Sequence, residues 1–261
     1  MNTEKNLHVA LLQTDLVWEN PAKNIANFQN LFSKLPLETN LVVLPEMFST
    51  GFSMNAEKLA EPMNGETVRW MQQMASKYTT AIVGSLIIVE NNNYYNRLLF
   101  VHPNRKIQYY DKRHTFTLAN EHKVYTKGND IQIIDYLDWK ICPFICYDLR
   151  FPVWSRNTSK YDLLIYVASW PKTRINAWDA LLKARAIENM SYTIGVNRIG
   201  IDANGYEYIG YSNAYDFLGK SLGKNSNNKE SIITITIDKK AQNDTRNKLG
   251  FLDDADQFII Q

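Results

Sequence analysis

Three residues in this chain of 261 are of the right type to share chemistry: Cys146, Glu46 and Lys112. Cys146 lies in ICPFICYDLRFPVW, where an apolar run over 141–145 ends at the thiol and the next residues turn polar. A nucleophile at a strand's end is lifted into a cleft, and the following backbone N–H faces the same space as an oxyanion donor. Glu46, in LVVLPEMFSTGF, also ends an apolar run and has Met47, Phe48 and Phe52 for neighbours. A carboxylate in such surroundings can act as a general base. Lys112 sits between aromatics in YYDKRHTF. An ammonium there would lower the pKa of a nearby thiol and stabilise an oxyanion. Taken singly, each has a plainer reading: a free Cys is mostly core filler, and a loop Glu or Lys is mostly solvated.

Those side chains need elements to hold them. Strands are expected at 8–12, 41–44, 81–87, 97–102, 131–134, 140–146, 163–168, 193–197 and 232–237. Residues 41–44 and 163–167 show little alternation, which suits strands covered on both faces. Residues 91–93 read as the polar tip of a hairpin, and 224–228 as an exposed turn before a strand. Asn20-Pro21 reads as the N-cap and first residue of a helix, with Ile25, Phe28, Leu31, Phe32 and Leu35 on one face. Val68, Met71, Ala75 and Tyr78 form a second stripe; Trp178, Leu181, Leu182, Arg185 and Asn189 form a third. Arg185 and Glu188, three apart, suit a local ion pair. Strand–helix alternation of this kind argues α/β with a central sheet, in one domain over 1–261.

Composition narrows the partners. With 29 basic and 27 acidic residues, the balance gives no electrostatic reason to expect nucleic acid or an anionic membrane. No apolar stretch approaches a signal-peptide core or a membrane span. The two cysteines, Cys142 and Cys146, lie on one extended segment that holds their Cα atoms beyond bridging distance, and read as free thiols. That suits a reducing, cytoplasmic setting. His8, His102, His114 and His122 have no spacing that suggests a metal site shared with cysteines.

LPEMFSTGF, YDKRHTF and ICYDLRFPVW resemble, in order, the three catalytic motifs of the nitrilase (carbon–nitrogen hydrolase) superfamily, with Glu46, Lys112 and Cys146 separated by 66 and 34 residues. HVALLQTDLVWENPAKNI resembles its opening strand and helix, GYSNAYDFLGKSLG its late hairpin region, and FLDDADQF its C-terminal tail. The resemblance implies a four-layer α-β-β-α sandwich and a homodimer. It implies a Glu–Lys–Cys triad on Glu46, Lys112 and Cys146. It places a second glutamate, Glu121, beside the triad to orient Lys112 and the substrate amide. The implied reaction is hydrolysis of a small-molecule amide by water through a cysteinyl thioester, with no cofactor and no metal.

The closest sub-group is the ω-amidase type, which cleaves the terminal amide of short dicarboxylate monoamides such as 2-oxoglutaramate and succinamate. ASWPKTRINAWDALLKARAIEN carries that likeness. Arg174 within it would be the partner of the substrate carboxylate, because guanidinium pairs bidentately with carboxylate. Trp170, Phe116 and Tyr147 would wall the pocket. Residues 113–116 depart from the family's common pattern. Other carbon–nitrogen hydrolases, such as a carbamoyl-amino-acid hydrolase or an aliphatic amidase, remain open on the residues alone. So does a protein of the same fold kept as a binding subunit.

Overall fold

The computed structural model describes residues 6–223 and 228–259. In chain order the strands are β1 (Leu7–Gln13), β2 (Leu41–Val43), β3 (Ala81–Glu90), β4 (Asn93–Val101), β5 (Ile107–Asp111), β6 (Ile134–Tyr136), β7 (Trp139–Ile145), β8 (Leu163–Ala168) and β9 (Tyr192–Asn197). They are followed by β10 (Ile199–Ile201), β11 (Glu207–Ile209), β12 (Asn213–Tyr215) and β13 (Ser231–Ile237). The helices are α1 (Pro21–Phe32), α2 (Ala56–Leu59), α3 (Glu66–Tyr78), α4 (Ile175–Glu188) and α5 (Lys239–Leu249). One sheet runs β13-β1-β2-β3-β4-β5 and another β12-β9-β8-β7-β6, while β10 and β11 pair separately. The centre of each large sheet is parallel (β1-β2-β3 and β7-β8-β9) and its edges are antiparallel.

Side-chain alternation builds the layers. Along β1, Leu7, Val9 and Leu11 enter the core between the sheets. Ala10 and Leu12 point the other way, to Phe28, Leu31 and Phe32 of α1 and Val68, Met71 and Ala75 of α3. On the far side, Trp178, Leu182 and Ala186 of α4 cover the second sheet. The result is the expected α-β-β-α sandwich. Contact between α4 and β9 is close enough that a Cβ on Gly195 would stand 2.4 Å from a Leu182 methyl and 2.6 Å from Trp178. Only glycine fits that approach.

Local signals explain several boundaries. The Asn20 side chain accepts from the Lys23 N–H at 3.1 Å, with Pro21 as the first helical residue, as expected for α1. Asn91 and Asn92 both take positive φ and join β3 to β4 in the two-residue turn that strand twist favours. The strand expected at 131–134 is instead Ile134–Tyr136. Leu137 and Asp138, again with positive φ, form the turn, and pairing Tyr136 with Trp139 fixes the register. Arg185 does pair with Glu188, at 2.9 Å. Residues 224–227 of the expected turn lie outside the described residues. Among the described residues, no helix is long and apolar enough to cross a membrane.

Candidate active site

Glu46, Lys112 and Cys146 leave the C-terminal ends of β2, β5 and β7, so both large sheets deliver residues to one rim, where α/β folds assemble their sites. Two of the exits are strained. Met47 and Cys146 have φ of 45° and 44°, the left-handed region that side chains disfavour, at a cost on the order of 1–3 kcal/mol each. The first turn is held by Ser85 of β3, whose hydroxyl accepts the Met47 N–H at 2.8 Å and whose carbonyl accepts that of Phe48 at 3.2 Å. The expected strand over 140–146 therefore stops one residue short. Cys146 opens a 3-10 turn over Cys146–Arg150, and this swings its thiol off the sheet.

The Lys112 ammonium lies between two carboxylates, 2.8 Å from Glu46 Oε1 and 2.9 Å from Glu121 Oε2. All three side chains are at most 1% exposed. Two buried negative charges thus face one positive charge, and further donors make up the difference. Asn96 Nδ2 bridges both carboxylates, at 2.8 Å to Glu46 and 3.2 Å to Glu121. The Ser169 N–H donates to Glu46 Oε2 at 2.9 Å, and the Phe116 N–H donates to Glu121. Burial alone would pull the Lys112 pKa down, but the glutamates outweigh it and the net shift is upward. Burial raises the Glu121 carboxyl, and Lys112 only partly offsets that rise.

The Cys146 thiol points toward the Ser169 carbonyl, 3.9 Å away. Its pKa is pushed well up, first by burial and then by the Glu46 carboxylate, with Lys112 opposing. The sequence-based expectation was a lowered pKa. Lys112 does act in that direction, but burial of the thiol and the nearby Glu46 carboxylate outweigh it. A thiol raised in this way calls for a base in any step that uses it as a nucleophile.

A cavity of about 460 Å³ opens over this cluster and is lined by Cys146, Lys112, Tyr147, Phe116, Trp170 and Arg174, among others. Glu46 and Glu121 stand behind that lining, fully buried. The Trp170 indole donates to the Arg174 carbonyl at 2.8 Å, and its backbone N–H donates to Asn197 at 2.8 Å. The Arg174 guanidinium sits 5.3 Å from the Phe116 ring centroid and has no acidic partner among the described residues. Phe116 packs edge-on against Tyr147 at 4.9 Å. All eight residues singled out from the sequence therefore converge on one site.

Several contributors were missed. Asn96 is an inward residue in mid-strand, with no local motif to mark it. Ser169 acts through its backbone, which sequence does not display. Arg150 lines the same cavity and lies 4.8 Å from the Trp170 ring; its place in the polar turn after Cys146 was a usable signal. Among the described residues, no group of three or more His, Cys, Asp or Glu could hold a metal ion.

Comparison with known proteins identifies the family and the fold. Residues 8–247 match the carbon-nitrogen hydrolase family. Omega-amidase YafV of Escherichia coli is 39% identical over 254 residues, covering 97% of this chain and 98% of the relative. The 2-oxoglutaramate amidase of Bacillus subtilis is 30% identical over 251 residues, covering 94% and 96% respectively. A CN-hydrolase superfamily protein from Xanthomonas campestris, solved with an arsenic adduct in its active site, superposes with a TM-score of 0.96 at 38% identity, covering 98% of this chain and 100% of that one.

Proposed function

The chain belongs to the carbon-nitrogen hydrolase family and hydrolyses C–N bonds in linear amides, and from that premise we propose that it is an ω-amidase acting on short dicarboxylate monoamides such as 2-oxoglutaramate and succinamate. One observation carries this reading. The Cys146 thiol and an Arg174 guanidinium without an acidic partner among the described residues line the same cavity, so one small molecule can present an amide to the first and a carboxylate to the second. The names of the relatives point the same way.

In this mechanism Glu46 takes the thiol proton as Sγ bonds to the amide carbonyl carbon. The carbonyl electron pair moves to oxygen, where Lys112 Nζ and the Tyr147 N–H hold it. The oxyanion collapses, the C–N bond breaks, and the leaving nitrogen takes the proton from Glu46 to depart as ammonia. The acyl group stays on Cys146 as a thioester. Glu46 then removes a proton from water, which attacks the thioester carbonyl and releases the acid and the thiol. Glu121 fixes Lys112 throughout and does not itself exchange protons. The family resemblance supports a single domain over 1–261 working as a cytoplasmic homodimer.

An ammonia-release screen over ω-amides, carbamoyl amino acids, aliphatic amides and nitriles tests the substrate class. The dicarboxylate monoamides should give the highest kcat/KM. Cys146→Ala should release no ammonia while keeping the wild-type circular dichroism spectrum, and turnover by that variant would sink the nucleophile assignment.

A further inference from the structure

Residues 113–116 take no part in the proton transfers above, yet this segment is fastened to the nucleophile's turn. The link is Asp148, two residues past Cys146 and fully buried. Its Oδ2 accepts the Ile145 N–H at 3.1 Å and the Tyr110 hydroxyl at 2.8 Å. Its Oδ1 accepts the His114 N–H at 2.9 Å and lies 2.8 Å from the His114 ring Nδ1. Tyr110 Oη already accepts from Trp154 Nε1 at 3.1 Å and from the Arg113 N–H at 3.2 Å, so its own hydrogen is directed to Asp148. A carboxylate accepts and does not donate, which places the His114 proton on Nδ1. The imidazole lies flat on Phe151, with centroids 3.7 Å apart and planes 5° from parallel, so its rotation is restricted.

The geometry points to His114 as a positioning residue: through Asp148 it fixes the strained turn that aims the Cys146 thiol at the Lys112–Glu46 pair. Ile145 is the last residue of β7, and the bond it donates to Asp148 closes the turn around Cys146. His114 stands two residues from Lys112, so the same carboxylate ties the loop bearing the ammonium to the turn bearing the thiol. A 1 Å misplacement of a reacting group can cost 100-fold in rate. The inference rests on Cys146 being the nucleophile.

Three substitutions separate positioning from mere packing. His114→Asn keeps a donor at the place of Nδ1, His114→Gln moves it one bond too far, and His114→Phe keeps the stack but has no donor. In His114→Gln and His114→Phe, kcat should fall roughly 10- to 100-fold with KM within about threefold of wild type. Alkylation of Cys146 by iodoacetamide, followed by peptide mass, should slow by a similar factor. His114→Asn should stay within about fivefold of wild type in both. Equal losses in the Asn and Gln variants would overturn the inference, as would unchanged alkylation in a folded Gln variant. Should the Phe variant fail to fold, the Asn–Gln pair decides alone. Alkylation displaces iodide and needs no amide hydrolysis, so a failure of the ω-amidase reading shows separately, as a wild type that alkylates normally but releases no ammonia from dicarboxylate monoamides.

Discussion

Replacing Lys112 by Met removes the one positive charge in a buried cluster that otherwise holds two carboxylates. At 2.8 and 2.9 Å, each ion pair has a gross attraction of about 6 kcal/mol at an effective dielectric of about 20. Desolvation of the ammonium offsets much of that, but removing one partner of a buried pair leaves the other charge uncompensated. The net loss is then typically about 3–5 kcal/mol. For a chain of this size that lowers Tm by on the order of 10 °C. The loss should depend on pH with a definite sign. Burial already raises the Glu121 carboxyl, and without Lys112 repulsion from Glu46 is unopposed. A pKa raised above its unfolded value contributes stability at low pH and loses it as pH rises through the folded value. Lys112→Met should therefore approach wild-type stability near pH 5 and fall furthest below it near pH 8, as read by urea unfolding. Adding Glu121→Gln removes one of the two repelling charges. The double variant should regain about half the loss at pH 8 without regaining ammonia release. A Lys112→Met protein within about 1 kcal/mol of wild type at pH 8, or a double variant no more stable than the single one, would refute the buried-charge account.

Glu46→Gln keeps the shape but removes the base, so kcat should drop by roughly 10²–10⁴-fold; single-turnover ammonia release reads this, and retained kcat would move the base elsewhere. Arg174→Ala should raise KM for succinamate at least ~10-fold more than for a neutral aliphatic amide, the loss expected when one partner of a charged hydrogen-bonded pair is removed. An equal rise for both substrates would take Arg174 out of the carboxylate role.

The sequence shows most clearly those parts of this molecule where one residue type does one local job. The β1 and β8 runs, the Asn20-Pro21 start of α1 and the asparagine tip of the β3–β4 hairpin all follow from local preference or period. Helix α5 was invisible for a physical reason. Its sequence, KKAQNDTRNKL, has no apolar stripe, because it docks through hydrogen bonds. Gln242 donates to the Asp162 and Met190 carbonyls, and Arg246 to the Met190 and Tyr161 carbonyls. The same distinction divides the site. Glu46 and Cys146 each follow an apolar run, and Lys112 sits between aromatics, so all three could be located by position. Asn96, Ser169 and Asp148 act by closing contacts between elements far apart in sequence, and no spacing displays that.

Those hidden residues also separate Cys146 from Cys142 as the proposed nucleophile. Both thiols have their pKa raised by burial. Cys142 stays inside β7, paired across to Leu164, with only core around it. Cys146 is turned out of the ladder by a φ of 44°, a conformation that costs energy and persists only where neighbours over-determine it. Here the constraint comes from Asp148 gripping Ile145 behind the turn. In front of the turn, Ser169 offers its carbonyl to the thiol and its N–H to Glu46, the proposed base. Glu46 and the thiol are thus both registered on one residue just past β8, through its N–H and its carbonyl. A thiol whose pKa is raised can still react under those conditions, because its proton has a fixed acceptor at the moment of attack.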